Sequence, residues 1–144
     1  KKHELFMMEA LKEAKKAYEE DEIPVGAVIV RNNKVIARGY NQMETLNDAT
    51  AHAEMIAITS AQNSLGSKYL NDCELYVTLE PCMMCSGAIF LSKVKKVVYS
   101  LQDKERGHLY KSKESINKRL VIIDNILEND SKLLINSFFE KIRK

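Results

Sequence analysis

The chain has 144 residues, 45% of them apolar and 29% charged, with a formal net charge of +2. That length fits one compact domain with a real core and is too short for two, and no apolar run approaches the ~18 residues of a membrane span. Three cysteines cannot all pair, which argues against a secreted disulfide scaffold and for a cytoplasmic protein with reduced thiols; the first residues hold no signal-peptide core.

The charge is unevenly spread. Residues 1–90 carry 9 Lys and Arg against 13 Asp and Glu, a net of −4, and residues 91–144 carry 13 against 7, a net of +6, which restores the +2 of the whole. A basic C-terminal third either faces a polyanionic partner or is a solvated lysine-rich surface.

In chain order, residues 4–20 place Leu5, Met8, Leu11, Ala14 and Tyr18 at the three-and-four spacing of one helical face. The acidic run Glu19 to Glu22 sits at the unfavourable end of that helix's dipole, and Pro24 confirms the stop. Val25 to Val30 is short, apolar and β-branched, as a buried strand should be. Asn32-Asn33 makes a tight turn, and Val35 to Tyr40 returns as the hairpin partner. A second helix is expected over 52–65 with Ala53, Ile56, Ala57, Ser60 and Ala61 on one face, stopped by Gly66. Leu75 to Leu79 reads as a strand, Pro81 as the opening of a third helix running to about Leu91, and Val97 to Tyr99 as the next strand. The polar residues 103–118 carry no clear pattern. Leu120 to Ile123 reads as a last strand, and 131–141 as a closing helix with Leu134, Ile135, Phe138 and Phe139 on its apolar face. This order predicts an α/β protein: a mixed sheet with helices on both faces.

Two clusters carry chemistry: His52-Ala53-Glu54 at the start of the second helix and Pro81-Cys82-Met83-Met84-Cys85 at the start of the third. Residues three apart share a helical face, so both thiolates can reach one ion, and His52 adds a nitrogen. Three such ligands suit Zn2+ and leave a fourth position for water, whose pKa falls to about 7 on the metal. Glu54 lies about 200° round the helix from His52 and is not a ligand on the same face. If His52 stands in the irregular first turn, the carboxylate can still approach the open position and move protons, a role worth about 10²–10⁴-fold in rate.

Each part has a plainer reading. A Cys-x-x-Cys also suits a redox pair or half of a structural zinc site, and a histidine or glutamate at a helix start can be a cap or a favourable charge. The conjunction of His-x-Glu, one strand and Pro-Cys-x-x-Cys is the signature of zinc nucleobase deaminases. Cys73 reads as a small buried apolar residue, and the stripe Met83, Met84, Ala88, Ile89 and Leu91 as core or subunit interface.

Four segments resemble the bacterial tRNA-specific adenosine deaminases, which convert the wobble adenosine of an anticodon to inosine: Glu22-Ile-Pro-Val-Gly-Ala-Val28, Ala37-Arg-Gly-Tyr-Asn41, Asn47-Asp-Ala-Thr-Ala-His-Ala-Glu54 and Leu75-Tyr-Val-Thr-Leu-Glu-Pro-Cys-Met-Met-Cys-Ser-Gly-Ala88. The resemblance implies His52, Cys82 and Cys85 as zinc ligands, Glu54 as proton shuttle and Asn41 as a substrate-binding amide; a turn residue ending a strand is the plainer reading of Asn41. It also implies a three-layer α/β/α cytidine-deaminase-like fold with five strands, a homodimer, and the tRNA anticodon stem-loop as partner. Ala49 stands where that family has proline. The segment Asp103 to Lys111 departs from a Gly/Ala-rich stretch placed near the substrate entrance. The end, Phe138 to Lys144, is similar to the family's aromatic and basic last helix, whose rings can stack on bases or pack the core. Two other readings share the zinc site: a deaminase of a free base or nucleoside (guanine, cytosine, cytidine), and a non-catalytic RNA-binding subunit stabilised by zinc. Glu54 counts against the last.

Overall fold

The computed structural model describes residues 1–143; Lys144, the last of the basic residues at the C-terminus, lies outside the described residues. Five strands form one sheet: β1 (Gly26–Arg31), β2 (Lys34–Tyr40), β3 (Cys73–Leu79), β4 (Lys96–Leu101) and β5 (Val121–Ile123). Their spatial order is β2-β1-β3-β4-β5. β1 runs antiparallel to both β2 and β3, while β3, β4 and β5 are parallel, so the sheet is mixed as expected. The hairpin turns on Asn32 and Asn33, both at positive φ (52° and 61°), the backbone that a two-residue turn with the sheet's own twist requires.

Successive strand residues point to opposite faces, and the protein builds a core on each. Ala27, Ile29, Leu75, Val77, Val97 and Tyr99 face α2 (Ala53–Leu65), α3 (Met83–Ser92) and α4 (Leu109–Ser115). Val28, Val30, Tyr76 and Val98 face the other way, against Met7 and Ala10 of α1 (Lys2–Glu19), the side on which α5 (Glu128–Arg143) also packs. The result is the three-layer α/β/α arrangement.

Several boundaries and faces differ from expectation. The buried stripe of α1 is Met7, Ala10, Leu11, Ala14 and Ala17, whereas Leu5 and Met8 are exposed. Alanines win because the helix backbone lies directly on Gly26, where any Cβ would collide with Ala10 O and Ala14 N; a large side chain cannot fit in so close a contact. On α2 the buried set is Ala53, Glu54, Ala57, Ile58 and Ala61, so Ser60 is not part of the inner face. Gly66 stops α2 in the left-handed conformation at φ 62°. The first helix begins at Lys2, and the last runs 128–143 rather than 131–141. The unassigned stretch 103–118 contains α4. Phe138 is buried, whereas Phe139 is exposed. Cys73 is fully buried, as a small apolar residue should be. The stripe on α3 is not all core: Ile89 is buried, but Met83 and Leu91 are 69% and 71% exposed. No helix among the described residues is long and apolar enough to cross a membrane.

Candidate active site

The topology gathers chemistry at one edge of the sheet. β2, β3 and β4 share a direction, so their C-terminal ends, followed by Asn41, Glu80 and Asp103, lie together; antiparallel β1 brings its leading residues Ile23 and Val25 to the same edge. The carboxyl ends of strands are where open α/β sheets hold ligands. A pocket of about 120 Å³ opens there, lined by these residues with Met43, His52, Glu54, Cys82 and Arg106.

His52 is the N-cap of α2 and Cys82 the N-cap of α3, both with extended backbone (ψ 153° and −177°), and neither side chain caps its helix. The two cysteines therefore do not share a helical face. Pro81 precedes the cap instead of opening the helix, so Cys82 stands outside α3 and Cys85 within its first turn. The donors still converge. His52 Nδ1 lies 3.6 Å from both Cys82 Sγ and Cys85 Sγ, and the three ligand atoms all lie within 4.8 Å of one another. A tetrahedral zinc with Zn–N of about 2.05 Å and Zn–S of about 2.3 Å has an N···S edge of about 3.6 Å, so the residues present fit this ion. All three cysteines are free thiols.

The extended cap of His52 also places Glu54, whose side chain turns inward and is 4% exposed. Burial pushes its carboxyl up to about 7, with the nearby His52 opposing the shift and the charge of Cys82 adding to it. The Cys85 thiol and His52 ring both hydrogen-bond toward the Cys82 sulfur and hold that thiol far down, to about 3; the same pairing, with burial, pushes Cys85 up. Both helix N-termini point at the cluster and favour negative charge there.

Asn41 is 6% exposed. Its Nδ2 donates to Ile23 O at 3.2 Å, which fixes the orientation of the amide, and its Oδ1 meets no donor in the protein. The free function in the pocket is thus an acceptor. A buried acceptor left without a donor is costly, on the order of 1–3 kcal/mol, and a ligand N–H would relieve that cost.

Four further residues shape the site without having been singled out in the sequence, although the segment from Asp103 was expected near the substrate entrance. Asp103 and Arg106 line the pocket from the stretch that carried no pattern. Glu80, 7% exposed, accepts the Asp103 N–H at 3.2 Å, and Gly107 lets the loop close on it, since a Cβ there would sit against the Glu80 carboxylate. Glu22, 1% exposed, accepts the N–H groups of Glu44 (3.1 Å) and Thr45 (2.7 Å) and the Thr45 hydroxyl (2.8 Å), fastening the loop after Asn41. Acidic residues set inside buried runs, Glu22 before Ile23-Pro24 and Glu80 after Leu79, were the available signal.

Comparison with known proteins agrees with this geometry. Residues 1–101 match the cytidine and deoxycytidylate deaminase zinc-binding region. The tRNA-specific adenosine deaminase of Aquifex aeolicus (strain VF5) is 46% identical over 145 residues, covering 97% of this chain and 95% of that protein. A structure solved in work on A-to-I editing by tRNA:A34 deaminases at the wobble position of transfer RNA superposes with a TM-score of 0.84 at 39% identity, over 90% of this chain and 97% of that one. A guanine deaminase from Bacillus subtilis gives a TM-score of 0.66 at 44% identity, over 69% of this chain and 64% of that one. By its zinc-binding region and its likeness along nearly its whole length, the chain belongs to the cytidine and deoxycytidylate deaminase zinc-binding family, among the tRNA-specific adenosine deaminases.

Proposed function

We propose that this protein hydrolyses adenosine to inosine at the wobble position of tRNA anticodons, releasing ammonia. The observation that carries the reading is a buried carboxylate beside three zinc-type donors, two sulfurs each 3.6 Å from one nitrogen. His52, Cys82 and Cys85 hold the metal. Zinc bound there would supply a nucleophile at neutral pH by lowering the pKa of water to about 7.

Glu54 moves the protons. Its carboxylate takes one from the attacking water and delivers it to adenine N1 as oxygen adds to C6. It then carries the second proton from the new hydroxyl to the exocyclic amine, which leaves as ammonia while C6 becomes the carbonyl of inosine. Asn41 Oδ1 accepts an N–H of the base and orients it. An anticodon loop presents its bases unstacked, so the target enters the pocket at little cost.

The partner is the tRNA anticodon stem-loop, in line with the tRNA-specific adenosine deaminases among its relatives. The working form is a cytoplasmic homodimer, in which a second copy covers the exposed Met83 and Leu91 of α3. A free-base deaminase is the second reading, favoured by the likeness to a guanine deaminase; that likeness covers 69% of the chain, against 97% for the Aquifex relative. The test is zinc-loaded protein incubated with bulk tRNA, with inosine read by mass. Glu54→Ala should fold, keep about one zinc per chain and form no inosine. Full turnover by that variant removes Glu54 from the mechanism, and equal activity on free adenosine or guanine moves the substrate to the second reading.

A further inference from the structure

A larger cavity, about 550 Å³, lies at the opposite edge of the sheet. Its walls come from the residues that lead into the parallel strands: Lys93 and Lys95 before β4, and Asn117, Lys118 and Arg119 before β5, with Phe90 of α3 beside them. The two edges are separated by the six residues of β4, about 20 Å at 3.3 Å per residue, so this cavity is distinct from the catalytic pocket.

Its chemistry is one-sided. All four cations are exposed, none forms an ion pair among the described residues, and no carboxylate lines the cavity. Some surface cations elsewhere are partnered, Arg38 with Glu9 and Glu13 and Arg31 with Asp72, and others such as Lys2, Lys15 and Lys34 are not, so what sets these four apart is their convergence on one hollow. Four positive charges around one hollow, with Lys93 also resting 5.3 Å from the Tyr69 ring centroid, make a local field that attracts an anion. The Asn117 Nδ2 is also buried without an acceptor, a donor of the kind that reaches a phosphate oxygen. Phe90 adds an exposed ring on which a ribose or base can pack.

We propose that this cavity is a second RNA contact, holding backbone phosphates of the substrate tRNA outside the anticodon loop. The proposal rests on the reading of the substrate as tRNA. RNA fits better than a small phosphorylated molecule because the cations come from two separate loops and are all solvent-facing, so they meet a run of phosphates instead of enclosing one group. The site adds affinity and orientation, while the chemistry stays at Glu54.

The test measures binding of labelled tRNA, and of the isolated anticodon loop, by fluorescence anisotropy across a salt series. The triple variant Lys95→Gln/Lys118→Gln/Arg119→Gln is compared with Lys2→Gln/Lys15→Gln/Lys34→Gln, which removes the same charge from exposed positions outside the cavity. The cavity variant should bind whole tRNA about tenfold more weakly, with the slope of log K against log salt shallower by about 2 to 3. Its binding of the isolated loop, zinc content and melting temperature should match the unsubstituted protein. An unchanged salt slope, or an equal loss in the control variant, overturns the site. Because binding is read without turnover, failure of the unsubstituted protein to form inosine counts against the substrate reading alone and leaves the cavity's result standing.

Discussion

Gly39→Ala tests whether the catalytic geometry depends on how closely α2 lies on the sheet. A Cβ at position 39 would stand 2.6 Å from Ala53 O, 2.8 Å from Ala57 N and 3.1 Å from Ile56 Cβ, where ordinary contact begins near 3.4 Å. The first two are helix backbone and cannot rotate away, so strand and helix must part by about 0.8 Å, the shortfall at Ala53 O. Overpacking of this kind costs about 1–3 kcal/mol, or about 3–10 °C in melting temperature for a chain of this length. The displaced turn carries His52 and Glu54, while Cys82 and Cys85 stand at the cap and first turn of α3, which Gly39 does not touch. The two 3.6 Å nitrogen–sulfur separations should therefore change, and a misplacement approaching 1 Å costs about 10²-fold in turnover. Gly26→Ala is the control: its Cβ would stand closer still to Ala10 O and Ala14 N of α1 than a Cβ at position 39 to α2, so it should lose at least as much stability but keep zinc affinity and kcat. Urea denaturation, zinc content and inosine formation on both variants read the difference. A Gly39→Ala protein with unaltered stability and kcat would refute the reasoning.

His52→Ala removes the one nitrogen donor, and zinc content after dialysis should fall from about one per chain toward zero; unchanged stoichiometry would show that the ion is held elsewhere. Glu22→Gln replaces an acceptor of three hydrogen bonds with a group that leaves at least one N–H unpaired, so it should cost about 1–3 kcal/mol and raise KM through the loop that carries Met43. A Glu22→Gln protein equal to the parent in both would mean that the loop does not need the carboxylate. In the metal-free protein, the Glu54 carboxyl is lifted from 4.5 to about 7 by burial. Below pH 4.5 it is protonated whether folded or not; as pH rises toward 7 the unfolded chain ionises first, and up to about 3 kcal/mol of stability is lost. Metal-free Glu54→Gln should therefore gain on the parent between pH 4.5 and 7 and match it at pH 4, and parallel stability–pH curves would contradict this.

Strand content and the metal-type donor cluster were legible because each rests on local pattern: a β-branched run at 25–30, an Asn-Asn turn, the spacing around His52 and Cys82. The inner face of α1 was not. Two overlapping stripes satisfy the same helical spacing, one rich in Leu and Met and one in Ala, and only the approach of the helix to Gly26 selects the alanines. Segment 103–118 was opaque because α4 buries just Leu109 and Ser112, too few residues to show a period. Glu22 was opaque for another reason: its partners lie more than twenty residues away and are mostly backbone N–H groups, which leave no trace in side-chain pattern. Asn41 was read as a substrate-binding amide, but nothing local showed that Ile23 O, eighteen residues away, takes its donor.

His52 and Cys82 occupy the positions where helices ordinarily receive a Ser, Thr, Asn or Asp that ties down the first turn, and neither does so. Each omission forgoes about 1 kcal/mol. The starts of α2 and α3 are consequently the parts of their helices least held by the chain itself, and they adjoin one another. An ion gripped by donors from both would act as a rivet through the two helix starts, and its removal is expected to loosen the opening turn of each together.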